Sequence, residues 1–311
     1  MTVPRASVII TTHNRPHLLP RAVESAREAG TDIEIIVIDD ASHDGTASVC
    51  RDLSGIKCLR SERNLGVAGA RNIGVMVSTA DYLAFLDDDD LRLPGSLDLQ
   101  LAALKAHPEA GFACGAMLIA DQQYQLTGEV SYPRQAGGDA FWDLLELDFP
   151  VMPLSTLSRK DCLLSVGLLS SKLSGIDDWD IFVRIAELYP VVVMIEPMGI
   201  YRQPTSTSGQ GSSAQSLQLL RAARHQLKLL QLPRAVSASS RKRRAIRRRT
   251  VNRLADTLLS SAAQQILRGE HRSVLPNTLA ALRLNPLRVA RPHAYQKMLS
   301  RWIAAANIKK A

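Results

Sequence analysis

Apolar, β-branched segments alternate with segments of helical periodicity over the first third of the chain. The strand-like segments cover residues 6–12, 33–38, 56–59 and 82–86. The helix-like segments cover residues 16–29, 44–53, 66–78 and 94–106. Because the first of these strands is continuously apolar, we expect it to be buried on both faces. The alternation therefore predicts an α/β fold with a doubly wound, mainly parallel sheet.

Charge divides the chain into two parts near residue 210. Residues 1–210 contain 17 Lys and Arg against 28 Asp and Glu, which gives a net charge of −11. Residues 211–311 contain 21 Lys and Arg and only two acids, which gives +19. The Ser-, Thr- and Gly-rich segment 205–214 between them is typical of a linker. We predict an α/β domain over residues 1–210 and a basic α-helical region over residues 211–311, with turns at Gly269, Pro276 and Pro286.

The compartment is predicted from what the sequence lacks. The four cysteines (Cys50, Cys58, Cys114 and Cys162) are scattered, which argues against both a zinc site and a disulfide framework. No apolar stretch reaches 18 residues, and the first ten residues are too short for a signal sequence. We therefore expect a cytoplasmic protein that does not span the membrane.

Polar residues follow three of the predicted strands. They are residues 11–15 after the first strand, Asp39 and Asp40 after the second, and Asp87 to Asp90 after the fourth. Ligands of doubly wound sheets bind beyond the carboxyl ends of the strands. The sequence therefore predicts that these side chains form one site.

The run Asp87, Asp88, Asp89 and Asp90 places four like charges side by side. Such a run needs a compensating cation, and carboxylate oxygens suit Mg²⁺ or Mn²⁺. A metal held there by an Asp-x-Asp pattern can bridge a diphosphate and neutralise charge as the diphosphate departs. The alternative is a solvated acidic turn that leads into the next helix. The position of the run at a strand end favours the metal site.

Four segments in order resemble the family-two glycosyltransferases of GT-A fold, and the resemblance covers about residues 5–205. The segments are Ser7-Val-Ile-Ile-Thr-Thr-His-Asn-Arg15, Val37-Ile-Asp-Asp-Ala-Ser-His-Asp-Gly-Thr46, Asn64-Leu-Gly-Val-Ala-Gly-Ala-Arg-Asn-Ile-Gly74 and Asp81-Tyr-Leu-Ala-Phe-Leu-Asp-Asp-Asp-Asp90. The resemblance implies donor-binding roles for Thr11, Asn14, Arg15, Asp40, Arg71 and Asp88. It implies that Asp89 binds the metal, with Asp87 completing the Asp-x-Asp pattern.

The segment Ser174-Gly-Ile-Asp-Asp-Trp-Asp-Ile-Phe-Val-Arg-Ile185 resembles the acidic-pair motif of the same family. Its first acid, Asp177, stands where the family usually has Glu. Asp178 matches the general base of inverting members, which removes the proton of the acceptor hydroxyl. The alternative is that both acids are helix N-terminal residues favoured by the helix dipole. Trp179 is either an acceptor-stacking residue or a core residue.

One departure concerns the end of the resemblance. The family often has a histidine two positions after the arginine of Ile200-Tyr-Arg202, whereas this chain has Pro204. The sequence therefore offers no histidine to the metal or diphosphate at this position. Arg202 is an alternative partner for the diphosphate.

The run Arg241-Lys-Arg-Arg-Ala-Ile-Arg-Arg-Arg249 is densely cationic, and its flanks have apolar residues at helical spacing up to Trp302 and Ile303. Cationic amphipathic helices suit an anionic membrane surface. The alternative is a helical appendage that packs on the acidic domain. Nucleic-acid binding is not expected, because the region has few aromatics and no nucleic-acid motif.

These observations predict an inverting, metal-dependent glycosyltransferase with Mn²⁺ or Mg²⁺ as cofactor. It would move a sugar from a nucleotide-diphospho-sugar donor to a saccharide or lipid-linked acceptor in cell-surface polysaccharide synthesis, as a peripheral protein on the inner face of the membrane. One alternative is a catalytically inactive membrane-associated scaffold. Another is a sugar nucleotidyltransferase, which would show a Gly-x-Gly-Thr-Arg loop where this chain has residues 11–15.

Overall fold

The computed structural model describes residues 3–133, 137–147, 151–204, 212–268 and 274–289. The chain divides into two compact units, Met1–Gln203 and Pro204–Ala311. Each unit has its own core of buried apolar residues. The two units are therefore described in turn.

The first unit is built on one nine-stranded sheet. Its strands are β1 (Ala6–Thr12), β2 (Ile33–Asp39), β3 (Lys57–Arg60), β4 (Tyr82–Asp87), β5 (Leu91–Arg92), β6 (Phe112–Ala120), β7 (Leu126–Ser131), β8 (Thr156–Arg159) and β9 (Val191–Arg202). Their order in the sheet is β3-β2-β1-β4-β8-β6-β9-β5, and β7 pairs with β6 outside this path.

The first four strands form a parallel sheet in the order β3-β2-β1-β4. All seven residues of β1 are buried, as expected for a central strand covered on both faces. The register places Thr11 opposite Ile38 of β2 and opposite Asp87 of β4. The carboxyl ends of β1, β2 and β4 therefore meet at one edge, which confirms the predicted α/β fold class.

The helices of this unit are α1 (Leu19–Glu28), α2 (Thr46–Asp52), α3 (Gly66–Val77), α4 (Ser96–Ala106), α5 (Phe141–Leu145), α6 (Lys160–Ser165) and α7 (Asp177–Leu188). The first four match the predicted helices to within three residues at each end. The largest difference is at α1, where residues 16–18 form a turn before the helix. Pro20 lies in the first turn of α1, where its missing N–H has no intrahelical partner to lose.

Helix α3 approaches β1 closely at Gly74. A Cβ atom on Gly74 would lie 2.2 Å from Cγ2 of Ile9, so only glycine allows this distance. The approach fixes the position of α3 over the centre of the sheet. Arg71, one turn earlier on the same helix, is thereby held beside the end of β4.

The second half of the sheet is mixed. Strand β8 pairs antiparallel with both β4 and β6, β5 pairs antiparallel with β9, and β6 and β9 are parallel. The long strand β9 ends at Arg202, next to the loop that follows β4, where the backbone N–H of Arg202 donates to Asp90. The end of β9 and its partner β5 therefore lie beside the acidic run.

The second unit is helical in its described residues. Its helices are α8 (Ser212–Leu229), α9 (Pro233–Ser237), α10 (Ser240–Arg268), α11 (Val274–Leu284) and α12 (Pro286–Val289). Leu258, Ala255 and Leu259 of α10 pack with Ala280 and Ala281 of α11. No described helix is both long enough and apolar enough to cross a bilayer.

Two details of the second unit differ from the sequence predictions, and some predictions lie outside the described residues. Residues 212–214, predicted as linker, begin α8, and Pro276, predicted as a turn, lies in the first turn of α11. Proline is tolerated there because the first turn of a helix has unpaired N–H groups. The linker residues 205–211, the turn at Gly269 and the apolar residues Trp302 and Ile303 lie outside the described residues.

Candidate active site

The acidic run forms the loop between β4 and β5, and three of its four carboxylates converge. Ligand oxygens of Asp87, Asp89 and Asp90 all lie within 4.8 Å of one another. The side chain of Asp87 is 36% exposed and that of Asp89 is 24% exposed, whereas Asp90 is buried. The structure thus brings together the two predicted metal residues and adds Asp90, which the sequence left without a role.

The electrostatics of this loop fit a divalent cation. Burial, followed by the charges of Asp87 and Asp89, raises the pKa of Asp90 well above its usual range. The backbone N–H of Arg202 donates to Asp90 at 3.0 Å, and this contact only partly offsets the repulsion. Clustered oxygen donors with excess negative charge are the ligand set that Mg²⁺ and Mn²⁺ take in proteins. Asp87, Asp89 and Asp90 are therefore the residues that would hold the cation.

Asp88 points away from this cluster and toward β1. Its carboxylate accepts a hydrogen bond from Thr12 Oγ1 at 2.6 Å and pairs with Arg15 Nη1 at 2.9 Å. The same Arg15 nitrogen lies 2.9 Å from Asp89. Burial nevertheless raises the pKa of Asp88 to about 6, because the contacts with Arg15 and Thr12 offset only part of the desolvation.

A cleft of about 170 Å³ opens beside this loop. Four of the six predicted donor residues are among its lining, namely Thr11, Arg15, Asp40 and Asp88. The other lining residues are Thr12, His13, Val67, Ala70 and Asp87. The carboxyl ends of β1, β2 and β4 thus meet in a cleft, as the strand order requires.

Asp40 has a structural task as well as a place in the cleft. Its carboxylate accepts hydrogen bonds from the backbone N–H groups of Leu65 and Gly66, both at 2.8 Å, and from the Ser61 hydroxyl at 3.0 Å. These contacts fix the start of α3, since the first N–H groups of a helix have no partner within it.

The two remaining donor candidates, Asn14 and Arg71, have different surroundings. Asn14 has a left-handed backbone (φ 54°), its N–H donates to Ser42, and its side-chain oxygen accepts from the N–H of His43. It ties the loop after β1 to the loop after β2. Arg71 is only 3% exposed and is not among the residues that line the cleft.

Arg71 connects the acidic loop to the second acidic motif. Its Nη2 lies 2.7 Å from Asp87 Oδ1, and its Nη1 lies 3.4 Å from Asp177 Oδ2. Both the guanidinium and the Asp177 side chain are buried, so their attraction is weakly screened. The guanidinium of Arg71 therefore holds the start of α7 close to the end of β4.

Asp178 is the second residue of α7 and is partly buried. Burial, and after it the charge of Asp177, raises the pKa of Asp178 to about 6. Its carboxylate accepts a hydrogen bond from the N–H of Trp179 at 2.7 Å. Trp179 itself is buried, and its indole N–H donates to the carbonyl of Leu144 at 2.6 Å. The core alternative thus describes Trp179, while Asp178 has the raised pKa expected of a general base.

One residue of the site was missed by the sequence analysis. The hydroxyl of Tyr124, in the turn between β6 and β7, donates to the main-chain carbonyl of Asp89 at 3.1 Å. The residue lies 35 positions along the chain from Asp89 and belongs to no recognised motif. Strand β6 pairs with β9, whose end lies beside the acidic loop, and this pairing places the turn after β6 near Asp89.

Comparison with known proteins agrees with this arrangement. Residues 7–152 match the model of glycosyl transferase family 2. The match includes the loop after β1, the loop after β2, the start of α3 and the acidic run. Over this segment the chain is similar to glycosyl transferase family 2, which confirms the resemblance found in the sequence.

The relatives cover only parts of the chain. A protein named as a glycosyltransferase from Haemophilus influenzae is 25% identical over 184 residues, which are 58% of this chain and 62% of that protein. The GalNAc(5)-diNAcBac-PP-undecaprenol β-1,3-glucosyltransferase of Campylobacter jejuni is 40% identical over 101 residues, 30% of this chain and 33% of that enzyme. The chain thus spans about three fifths of the first curated relatives it matches.

The fold also resembles a solved structure. A mannosyltransferase from Pyrobaculum calidifontis, in complex with GDP-Man and Mn²⁺, superposes with a TM-score of 0.58 at 16% identity. The match covers 91% of this chain and 88% of the mannosyltransferase. At this identity the likeness shows the fold, which is of the GT-A type.

Proposed function

We propose that the chain is an inverting, metal-dependent glycosyltransferase that uses a nucleotide-diphospho-sugar donor. The observation that supports this most is the contact of the buried Arg71 guanidinium with both Asp87 and Asp177. It joins a carboxylate cluster suited to a divalent cation to a helix whose second residue has the raised pKa of a base. Leaving-group stabilisation and proton removal are the two tasks of a single-displacement transfer.

The donor occupies the cleft at the ends of β1, β2 and β4. Thr11, Asp40 and Asp88 contact the nucleoside, and Arg15 contributes a guanidinium beside it. Asn14 acts by fixing the loop after β1. Arg71 acts on the donor through the position of Asp87. A divalent cation, when bound, supplies positive charge that stabilises the departing diphosphate.

The transfer itself requires one base. Asp178 removes the proton from the acceptor hydroxyl as the oxygen attacks the anomeric carbon. The new carbon–oxygen bond forms on the face opposite the diphosphate, whose bond to the anomeric carbon breaks with both electrons going to the leaving nucleoside diphosphate. The anomeric centre is inverted, and the proton remains on Asp178 until solvent takes it.

The acceptor is a saccharide or a lipid-linked saccharide, and the process is cell-surface polysaccharide synthesis. The C. jejuni relative acts on an undecaprenol-linked acceptor according to its name, and it aligns with 30% of this chain. Such an acceptor is presented at a membrane surface. This expectation gives the basic second unit a role.

We place that unit on the cytoplasmic face of an anionic membrane. Arg241, Arg244, Arg247 and Arg248 of α10 are exposed, and the one acid in the described residues of the unit, Asp256, pairs with Arg288 at 2.8 Å. A groove of about 340 Å³ between α8 and α11 exposes apolar side chains, those of Leu217, Leu275 and Leu279. Positive charge together with exposed apolar side chains suits an anionic lipid surface.

The transfer mechanism is tested with Asp178→Asn. The amide keeps the size of the side chain but cannot accept the proton, so turnover should fall at least about a hundredfold while donor and Mn²⁺ binding persist. Donor identity comes first, from a screen of nucleotide sugars for thermal stabilisation in the presence of Mn²⁺.

The matched control is Asp161→Asn, in α6, an acid outside the cleft that should leave turnover unchanged. Undiminished transfer by Asp178→Asn would refute the assignment of the base. If no nucleotide sugar stabilises the unchanged protein, the donor class is wrong and the inactive-scaffold alternative gains support.

A further inference from the structure

The turn between β6 and β7 holds Tyr124 in an unusual backbone conformation. Its φ is 63°, in the left-handed region that residues other than glycine seldom adopt. Asp121 stabilises the turn, because its carboxylate accepts hydrogen bonds from the N–H groups of Gln123 and Gln125, both at 2.9 Å. The conformation aims the side chain of Tyr124 back at the loop after β4.

The hydroxyl of Tyr124 reaches the main chain of the acidic loop. It donates to the carbonyl oxygen of Asp89 at 3.1 Å. The backbone of Asp89 sets the direction of its carboxylate, which is one of the three converging on the cation position. Tyr124 therefore touches no ligand atom itself but contacts the segment that carries two of them, Asp89 and Asp90.

Two arginines from other elements hold the ring of Tyr124. The guanidinium of Arg21, on α1, lies 4.5 Å from the ring centroid, and that of Arg202, at the end of β9, lies 5.2 Å from it. Contacts of this kind are attractive because the face of the ring is electron-rich. Arg202 also donates its backbone N–H to Asp90 and its Nε to the carbonyl of Gln122, at 3.0 and 2.8 Å.

The contacts of Tyr124 and Arg202 are made to the second half of the acidic loop, Asp89 and Asp90. The carboxylate of Asp87 is held by Arg71 and that of Asp88 by Thr12, and Arg15 pairs with both Asp88 and Asp89. The main-chain carbonyl of Asp89 is held by Tyr124, and the carboxylate of Asp90 is held by the end of β9. Residues that orient the ligands of a metal commonly change its affinity when they are removed.

We propose that Tyr124 is a positioning residue that orients Asp89 and Asp90 for the divalent cation, with Arg21 and Arg202 fixing its ring. The inference rests on the part of the proposed function that assigns a cation to this loop. It adds that the turn between β6 and β7 sets the affinity for that cation. The effect is on metal binding, and the chemical step is left unchanged.

Tyr124→Phe tests the inference, since it removes one hydroxyl and keeps the ring for both arginines. The Kd for Mn²⁺, measured by calorimetry on the full chain without donor, should rise about three- to tenfold. In transfer assays the Mn²⁺ concentration needed for half-maximal rate should rise by a similar factor, while the rate at saturating Mn²⁺ returns to that of the unchanged protein. A structural defect would lower the saturated rate as well.

The matched control is Tyr82→Phe. The ring of Tyr82 also lies under an arginine, Arg159 at 5.3 Å, but Tyr82 begins β4 and so lies at the opposite end of that strand from the acidic loop. Removing the hydroxyl of Tyr82 should leave the Kd for Mn²⁺ unchanged. A second variant, Arg21→Gln, weakens the hold on the Tyr124 ring and should raise the Kd by a smaller factor than Tyr124→Phe.

The outcomes separate this inference from the proposed function. An equal Kd for the unchanged protein and Tyr124→Phe would overturn the positioning role and leave the cation site standing. A Kd that rises equally in Tyr82→Phe would also overturn it, because the effect would then be general. If the unchanged protein binds no Mn²⁺, the metal assignment and this inference fail together.

Discussion

At the scale of single residues, the site separates its carboxylates by environment. Asp178 and Asp88 both have a pKa raised to about 6 by burial, but their neighbours differ. Asp88 is paired with Arg15 and Thr12, so its carboxylate holds the loop after β1 as well as lining the cleft. Asp178 has Asp177 beside it, whose charge raises its pKa further and keeps it basic enough to accept a proton.

The pKa of Asp178 predicts the pH dependence of the reaction. The carboxylate acts as a base only when it is deprotonated, so the rate should rise with pH through about 6 and then level off. At pH 5 roughly one tenth of the plateau rate should remain, since about a tenth of the groups would be ionised one unit below the pKa. The measurement is the transfer rate from pH 4.5 to 8 at saturating donor and Mn²⁺.

Saturation matters because Asp88, with a similar pKa, lines the donor cleft. Loss of donor or metal binding at low pH would raise the half-saturation concentrations and leave the saturated rate unaffected. A saturated rate that stays flat between pH 5 and 7.5 would show that Asp178 is not the base or that proton removal does not limit turnover.

Residues in the site were predictable where the signal was local. Asp87 and Asp89 stand in a run of acids at a strand end, and the structure brings their oxygens together. Asp90 belongs to the same run, yet its burial depends on β9, which pairs with the loop from 112 residues away. The double contact of Arg71 with Asp87 and Asp177 joins residues 106 positions apart, so no spacing along the chain could indicate it.

At the scale of elements, the strands and helices of the first half of the fold could be predicted from the sequence, whereas the strand pairing of the second half could not. The four parallel strands and the helices between them follow from apolar runs that alternate with helical periodicity. Strands β6, β8 and β9 pair across long separations, and β6 is nearly continuously buried, so neither periodicity nor turn residues distinguish its partners. These strands place Tyr124 and Arg202 beside the acidic loop, which explains why Tyr124 was missed and why the contact of Arg202 with Asp90 was not predicted.

The packing of α3 on β1 predicts the effect of one methyl group. Gly74→Ala would place a Cβ 2.2 Å from Ile9 Cγ2, and the helix must shift away from the sheet to relieve the clash. The gain in helix propensity is at most about 1 kcal/mol, whereas overpacking costs about 1–3 kcal/mol. We therefore expect Gly74→Ala to destabilise the protein, and the measurement is a lower midpoint of urea unfolding.

The control for this change is Gly45→Ala. Gly45 precedes α2, its φ is −70°, and nothing lies within 4 Å of an added Cβ, so the midpoint should move little. Because Arg71 lies on α3, Gly74→Ala should also weaken Mn²⁺ binding, and Gly45→Ala should not. Equal midpoints for the two variants would contradict the close packing of α3 on β1.

At the scale of the whole molecule, the two parts of the chain have opposite net charge, −11 for residues 1–210 and +19 for residues 211–311. The second part contains 21 Lys and Arg but only two acids, Asp256 and Glu270, so most of its positive charge is not balanced by acids of the same part. A surface of this kind is attracted to anionic lipids, with about 1 kcal/mol for each basic residue near the membrane. The attraction weakens as salt screens it.

Vesicle binding by the full chain therefore provides the last prediction. The protein should sediment with vesicles of phosphatidylcholine and phosphatidylglycerol, sediment much less with phosphatidylcholine alone, and detach as NaCl increases. Replacing Arg244, Arg247 and Arg248 with Gln should weaken binding on the order of a hundredfold, from about 1 kcal/mol for each residue. Leu275→Ser and Leu279→Ser should weaken it further by removing apolar side chains from the groove.

The matched control replaces Arg63, Lys105 and Lys172 with Gln, three exposed residues of the first unit. This variant loses the same three charges, so equal weakening in both triple variants would mean that net charge, and not the exposed surface of α10, drives the association.

Concentration-dependent dimerisation without vesicle binding would assign the apolar groove to a second copy of the chain and overturn the membrane proposal. Since a lipid-linked acceptor requires the enzyme at the membrane, vesicles containing such an acceptor should also be glycosylated faster by the unchanged protein than by the α10 variant.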